Sequence, residues 1–80
     1  MAKILVVDDS LSMQKMVSLT LKTAGHQVVE AADGNQALTV AQKEQVDLVL
    51  SDVNMPNMNG IELCKKIRQL PNYKFTPFLM

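Results

Sequence analysis

Apolar positions along the chain change rhythm several times, and each change marks an element. Ile4-Leu5-Val6-Val7 is an unbroken apolar run, the pattern of a central parallel strand covered on both faces. Met13, Met16, Val17, Thr20, Leu21 and Ala24 then recur at steps of three and four, which predicts a helix with one inward face, opened by Asp8-Asp9-Ser10. Gly25 stands where a left-handed residue commonly ends such a helix. A shorter strand is expected over residues 27–32, with Val28 and Val29 as its apolar content. Asp33 and Gln36 have the spacing of a capping box, and Ala37, Leu38 and Ala41 give the helix behind them its buried stripe. Residues 46–52 predict a third strand. Pro56 excludes helical geometry at Met55, so the chain turns there. Asn59 and Glu62 form a second capping-box pair, followed by a helical stripe of Leu63, Cys64, Ile67 and Leu70 that Pro71-Asn72 stops. Residues 76–80 begin a fourth strand.

The order β-α-β-α-β-α-β implies an α/β domain built on a parallel sheet with right-handed crossovers. In such a sheet all strands end on one edge. Asp8 and Asp9 end the first strand and Asp52 ends the third. If those strands are neighbours, three carboxylates converge where open α/β sheets bind ligands. Two unit charges 4 Å apart repel by about 4 kcal/mol at an effective dielectric of 20, so a retained proton or a cation is needed among them. Hard oxygen ligands suit magnesium, which leaves room for phosphate oxygens, and a carboxylate beside it can accept a phosphoryl group. Each site alone also suits an ordinary role, Asp8-Asp9 as helix-start acids and Asp52 as a strand terminator. Their matched placement favours the joint reading.

Composition narrows the class. Eighty residues at 48% hydrophobic content suit one small domain, and eight basic residues balance eight acidic ones. Neither nucleic acid nor an anionic membrane is indicated as a partner. The single cysteine, Cys64, excludes an internal disulfide and fits a packed thiol in a reducing compartment. The four-residue apolar stretch in "MAKILVVDDS" is too short for a signal peptide or a membrane span, so a cytoplasmic location is expected. A core of this size supplies roughly 3–5 kcal/mol. Met13 and Met16 are expected to pack their helix, Met55 and Met58 to fill the loop after the third strand, His26 to be a solvated turn residue, and Lys65, Lys66 and Arg68 to form a solvated face.

"ILVVDDS", "SDVNMPNMNG" and "TPFLM", in that order, resemble the receiver domain of two-component response regulators, with "SDVNMPNMNG" most similar to chemotaxis (CheY-like) receivers. The resemblance runs from Lys3 to Met80. It implies a flavodoxin-like fold with strand order 2-1-3-4-5 and helices on both faces; CheY is itself a standard example of that order, which therefore comes from the resemblance and not from the pattern. By position, Asp52 matches the phosphoacceptor. Asp8 and Asp9 match the acidic pair that holds Mg2+, the second directly and the first mainly through water. Asn54 matches the residue whose backbone carbonyl completes the metal shell and whose side chain faces the phosphoryl site. Met55, Pro56 and Gly60 match the loop shaping the pocket. The implied function is that of a signalling phosphoacceptor rather than a turnover enzyme, with a sensor histidine kinase as donor and an effector protein downstream. A phosphatase of the haloacid dehalogenase type would need a second aspartate two residues after the first, which "DDSLS" lacks at that spacing.

The resemblance stops at the fourth strand. Residues 1–80 correspond to the N-terminal part of a receiver, without the last helix, strand and helix, and so without the Thr or Ser and the Lys that hold phosphoryl oxygens in the family. The expectation is a fragment completed by a second copy or another chain through the fourth-strand edge, with apolar surface bare beside the first helix. A receiver-like module that binds partners without being phosphorylated is the alternative.

Overall fold

The apolar run near the N-terminus is the centre of the sheet. The computed structural model describes residues 1–80, ordered β1 (Lys3–Val7), α1 (Leu11–Thr23), β2 (Gln27–Ala31), α2 (Gly34–Lys43), β3 (Leu48–Ser51), α3 (Gly60–Arg68) and β4 (Phe78–Leu79). All pairings are parallel and the strand order is β2-β1-β3-β4. This is the flavodoxin-like arrangement expected. β1 is flanked on both sides, which is why four consecutive apolar residues suit it: Leu5 and Val7 enter the main core cluster, while Ile4 and Val6 are as deeply buried on the opposite face, where α1 packs.

The main core lies on the α2 and α3 side, where Ala37, Ala41, Leu63 and Ile67 meet Leu5, Val7 and Val49. Met55 and Met58 join it, as loop fillers should. Asn59 closes a complete capping box with Glu62: the Glu62 N–H donates to Asn59 Oδ1 (2.9 Å) and the Asn59 N–H to Glu62 Oε1 (3.1 Å). At α2 the box is only half formed. Asp33 accepts from the Gln36 N–H (2.8 Å), but Gln36 Oε1 takes the N–H of Ala32 instead of that of Asp33. Gly25 has φ +94°, the left-handed geometry expected after α1. β1 gains Lys3, but the other strands are shorter than the apolar pattern predicts: residues 32, 46, 47, 52, 76, 77 and 80 fall outside them, although Asp47 and Asp52 still donate to Lys3 and Val7 carbonyls.

The inward face of α1 differs from expectation. Gln14 and Ser18 are its buried residues, whereas Met13 and Met16 are exposed, Met16 by 62%. The polar pair is buried because its hydrogen bonds are made: Gln14 to strand-end carbonyls and Ser18 to Glu30. Of the apolar stripe only Val17 and Leu21 are half-buried, while Met13, Met16, Thr20 and Ala24 are exposed. His26 is not a free turn residue either, since its Nδ1 accepts the Ala2 N–H (3.2 Å) and it is half-buried. Lys65 and Lys66 are solvated, but Arg68 is half-buried and donates to the carbonyls of Tyr73 and Thr76. Tyr73 is 2% exposed; its hydroxyl accepts the Val46 N–H (3.1 Å) and shares its proton between the carbonyls of Ala41 (2.9 Å) and Glu44 (2.7 Å). No helix is long and apolar enough to cross a membrane.

Candidate functional site

Val7 pairs with both Ala31 and Ser51, so Asp8 and Asp52 leave neighbouring strands at the same level. The ladder continues one step beyond them: the Asp8 N–H donates to Ala31 O (3.1 Å) and the Asp52 N–H to Val7 O (2.9 Å). Asp8 Oδ1 then accepts the Ser10 N–H (2.9 Å), an Asx turn that reverses the chain into α1, where Ser10 Oγ caps the helix. Asp8 is half-buried and Asp9 exposed.

On the other side, the loop from Val53 to Asn59 folds back against the Asp52 peptide. The Gly60 N–H donates to Val53 O (2.9 Å), and a Cβ at residue 60 would lie 2.5 Å from Asp52 O. Only glycine permits that approach. The buried Ser51 hydroxyl also donates to Asp52 O (2.9 Å). Within the loop Asn57 takes φ +71°, a conformation asparagine tolerates better than most residues. Met58 anchors the far side by packing on Gly34, where a Cβ would come 2.6 Å from its sulfur.

The result is a set of carboxylate oxygens, one each from Asp8, Asp9 and Asp52, all within 4.8 Å of one another. The chain's ion pairs, Lys3–Glu44 and Lys15–Glu30, lie elsewhere, so no side-chain cation neutralises this cluster. Beside it opens a cavity of about 300 Å³ bounded by Asp8, Asp52 and Val53 and floored by Val6, Val17 and Leu50. Leu79 and Met80 border it too and remain exposed, so apolar surface does lie open beside α1. Three hard oxygen donors with this spacing, next to open volume, fit a hard divalent cation that keeps several waters. Asn54 is exposed, two residues beyond Asp52 and outside the cavity lining. Sequence reasoning brought the three aspartates together correctly in space. It missed Gln14 and Ser51, whose buried hydrogen bonds to the strand ends leave no periodic signal.

Fold and site together define a class: a parallel α/β domain with strand order β2-β1-β3-β4 and an acidic pocket at the carboxyl edge of its central strands. The chain belongs to the response regulator receiver domain family, whose family model matches residues 4–80. It is 44% identical over 80 residues to the chemotaxis protein CheY homolog of Campylobacter jejuni, covering 98% of this chain and 62% of that protein. It is 45% identical over 67 residues to the alkaline phosphatase synthesis transcriptional regulatory protein PhoP of Bacillus subtilis, covering 84% of this chain and 28% of that one. Among solved structures, the chemotaxis response regulator CheY4 of Vibrio cholerae superposes with a TM-score of 0.97 at 56% identity, covering all of this chain and 67% of that one. The chain thus spans about two-thirds or less of these proteins.

Proposed function

We propose that this chain is a cytoplasmic phosphoacceptor receiver that takes a phosphoryl group from the phosphohistidine of a sensor histidine kinase onto Asp52. The observation that supports it is the convergence of Asp8, Asp9 and Asp52 within 4.8 Å at one sheet edge, in a chain of the receiver family. An Asp52 carboxylate oxygen attacks phosphorus, the phosphorus–nitrogen bond to the donor imidazole breaks, and the imidazole leaves with the bonding pair and takes up a proton. An acyl phosphate remains on Asp52. Mg2+ held by Asp8, Asp9, the Asp52 carboxylate and the Asn54 carbonyl would neutralise charge on the transferring group. The chain's own part is positioning. The Asp8 Asx turn and the β1–β3 register bring the acids together, and the Gly60 contact holds the loop against the Asp52 peptide, with the cavity beside it open for the donor. The Asn54 side chain, exposed two residues beyond Asp52, would face the phosphoryl group and influence how quickly it is lost. The phosphorylated chain then presents a changed surface to an effector protein.

Incubation with acetyl phosphate and Mg2+, read by intact mass, tests this. A gain of one phosphoryl group, dependent on Mg2+ and abolished in Asp52→Asn, is expected. An unchanged mass under conditions where the folded chain binds Mg2+ would refute the phosphoacceptor role and leave a receiver-like interaction module.

A further inference from the structure

We propose that Gln14 is a positioning residue for the acidic pair, acting through the peptide that joins Asp8 to Asp9; the inference rests on the divalent-cation site proposed above. Gln14 is 4% exposed, in the first half of α1. Its Nε2 donates to Ala31 O (2.9 Å) and to Asp8 O (3.3 Å). Ala31 O also accepts the Asp8 N–H (3.1 Å). Both backbone polar groups of Asp8 are therefore tied to one side-chain amide, the N–H through a shared acceptor and the carbonyl directly.

The Asp8 carbonyl belongs to the planar unit that carries the Asp9 N–H. Holding that plane sets the direction in which the Asp9 carboxylate leaves the chain relative to that of Asp8. Asp8 Oδ1 is separately held by the Ser10 N–H (2.9 Å), so the Gln14 contact supplies the restraint that the side-chain turn lacks. Docking of α1 does not explain the residue. The helix has its own polar anchor one turn later, where Ser18 Oγ donates to Glu30 Oε2 (2.5 Å) on β2, away from the acids. A buried methionine at residue 14 would satisfy packing alone, whereas the amide ties the end of β2 to the Asp8 carbonyl, where the acidic pair leaves β1.

The test is a Mg2+ titration of the folded chain, followed by amide shifts of Asp8, Asp9, Ser10 and Asp52, in the wild type and in Gln14→Met, Gln14→Asn and Ser18→Ala. Gln14→Met keeps size and helix propensity but removes both donors. Affinity is expected to fall on the order of 10-fold in Gln14→Met, as for residues that orient metal ligands. Ser18→Ala, an equally buried change, should lower the urea midpoint and leave the affinity unchanged. Equal affinity in Gln14→Met and wild type, or an equal loss in Ser18→Ala, overturns the assignment while leaving the cation site standing. Absence of saturable shifts in the wild type overturns the cation site itself. If Gln14→Met does not fold, Gln14→Asn decides by the same criterion, because its shorter amide cannot reach both carbonyls. Amide exchange in metal-free protein gives a second readout: the Asp8 N–H should exchange faster in the Gln14 variant while that of Val6 is unchanged.

Discussion

Replacing Asp52 by asparagine should make the metal-free protein more stable and the metal-loaded protein less so than the wild type. The side chains are isosteric, and the backbone hydrogen bonds of residue 52, its N–H to the Val7 carbonyl and its carbonyl from the Ser51 hydroxyl, are retained. What changes is charge. Carboxylate oxygens no more than 4.8 Å apart repel by at least ~3.5 kcal/mol at an effective dielectric of 20 and ~0.9 kcal/mol in bulk water. These groups open onto solvent, so the lower end applies, about 1 kcal/mol per pair. Asp52 takes part in two pairs, with Asp8 and with Asp9, and Asp52→Asn should gain about 1–2 kcal/mol in the absence of divalent cations at low salt. In 1 M NaCl, where the screening length is about 3 Å, most of the gain should vanish. With Mg2+ at about one hundred times its dissociation constant the wild type gains about 2.7 kcal/mol. The variant, lacking a charged ligand, gains less, and the order of stabilities inverts. Urea unfolding at about pH 7, followed by far-ultraviolet circular dichroism with and without Mg2+, measures all three conditions. A metal-free Asp52→Asn protein less stable than wild type at low salt, or a gap indifferent to salt, would refute the reasoning: the three acids would then not form a repelling cluster.

Tyr73→Phe should cost about 2 kcal/mol, because it orphans the buried Val46 N–H and removes the donor to Ala41 and Glu44; an unchanged urea midpoint would show that water replaces the hydroxyl. Gly60→Ala reverses the usual helix preference for alanine: its Cβ meets Asp52 O and Val53 Cα, both backbone, so a loss of about 1–3 kcal/mol is expected from thermal unfolding. Glu30 is held below its ordinary value of 4.5, first by the hydrogen bond from Lys15 and then by that from Ser18. A depressed acid stabilises the fold above its unfolded value and loses that contribution as pH falls through the folded one. Below pH 4.5, therefore, wild type should lose more stability on acidification than Glu30→Gln, and parallel pH profiles would contradict this.

The strand ends were legible in the sequence because they obey local rules. An apolar run followed by acids, and an apolar run followed by Asp-x-Asn-Met-Pro, mark where β1 and β3 meet solvent. The parallel α/β order then brings those ends to one edge. Asn59 with Glu62, and Gly25 after α1, were equally local and came out as the pattern implied. The buried face of α1 was not legible. Periodicity assigns burial by hydrophobicity, yet the helix turns Gln14 and Ser18 inward because Ala31, Asp8 and Glu30 offer them partners on other segments. Arg68 and Tyr73 escaped for a related reason: their partners are carbonyls and an amide on segments that only folding brings near. Sequence by itself thus determined the elements, their order and which acids stand at the site. Tertiary structure alone decided which polar side chains are buried, because a hydrogen bond between distant segments depends on the packed geometry and leaves no period in the chain.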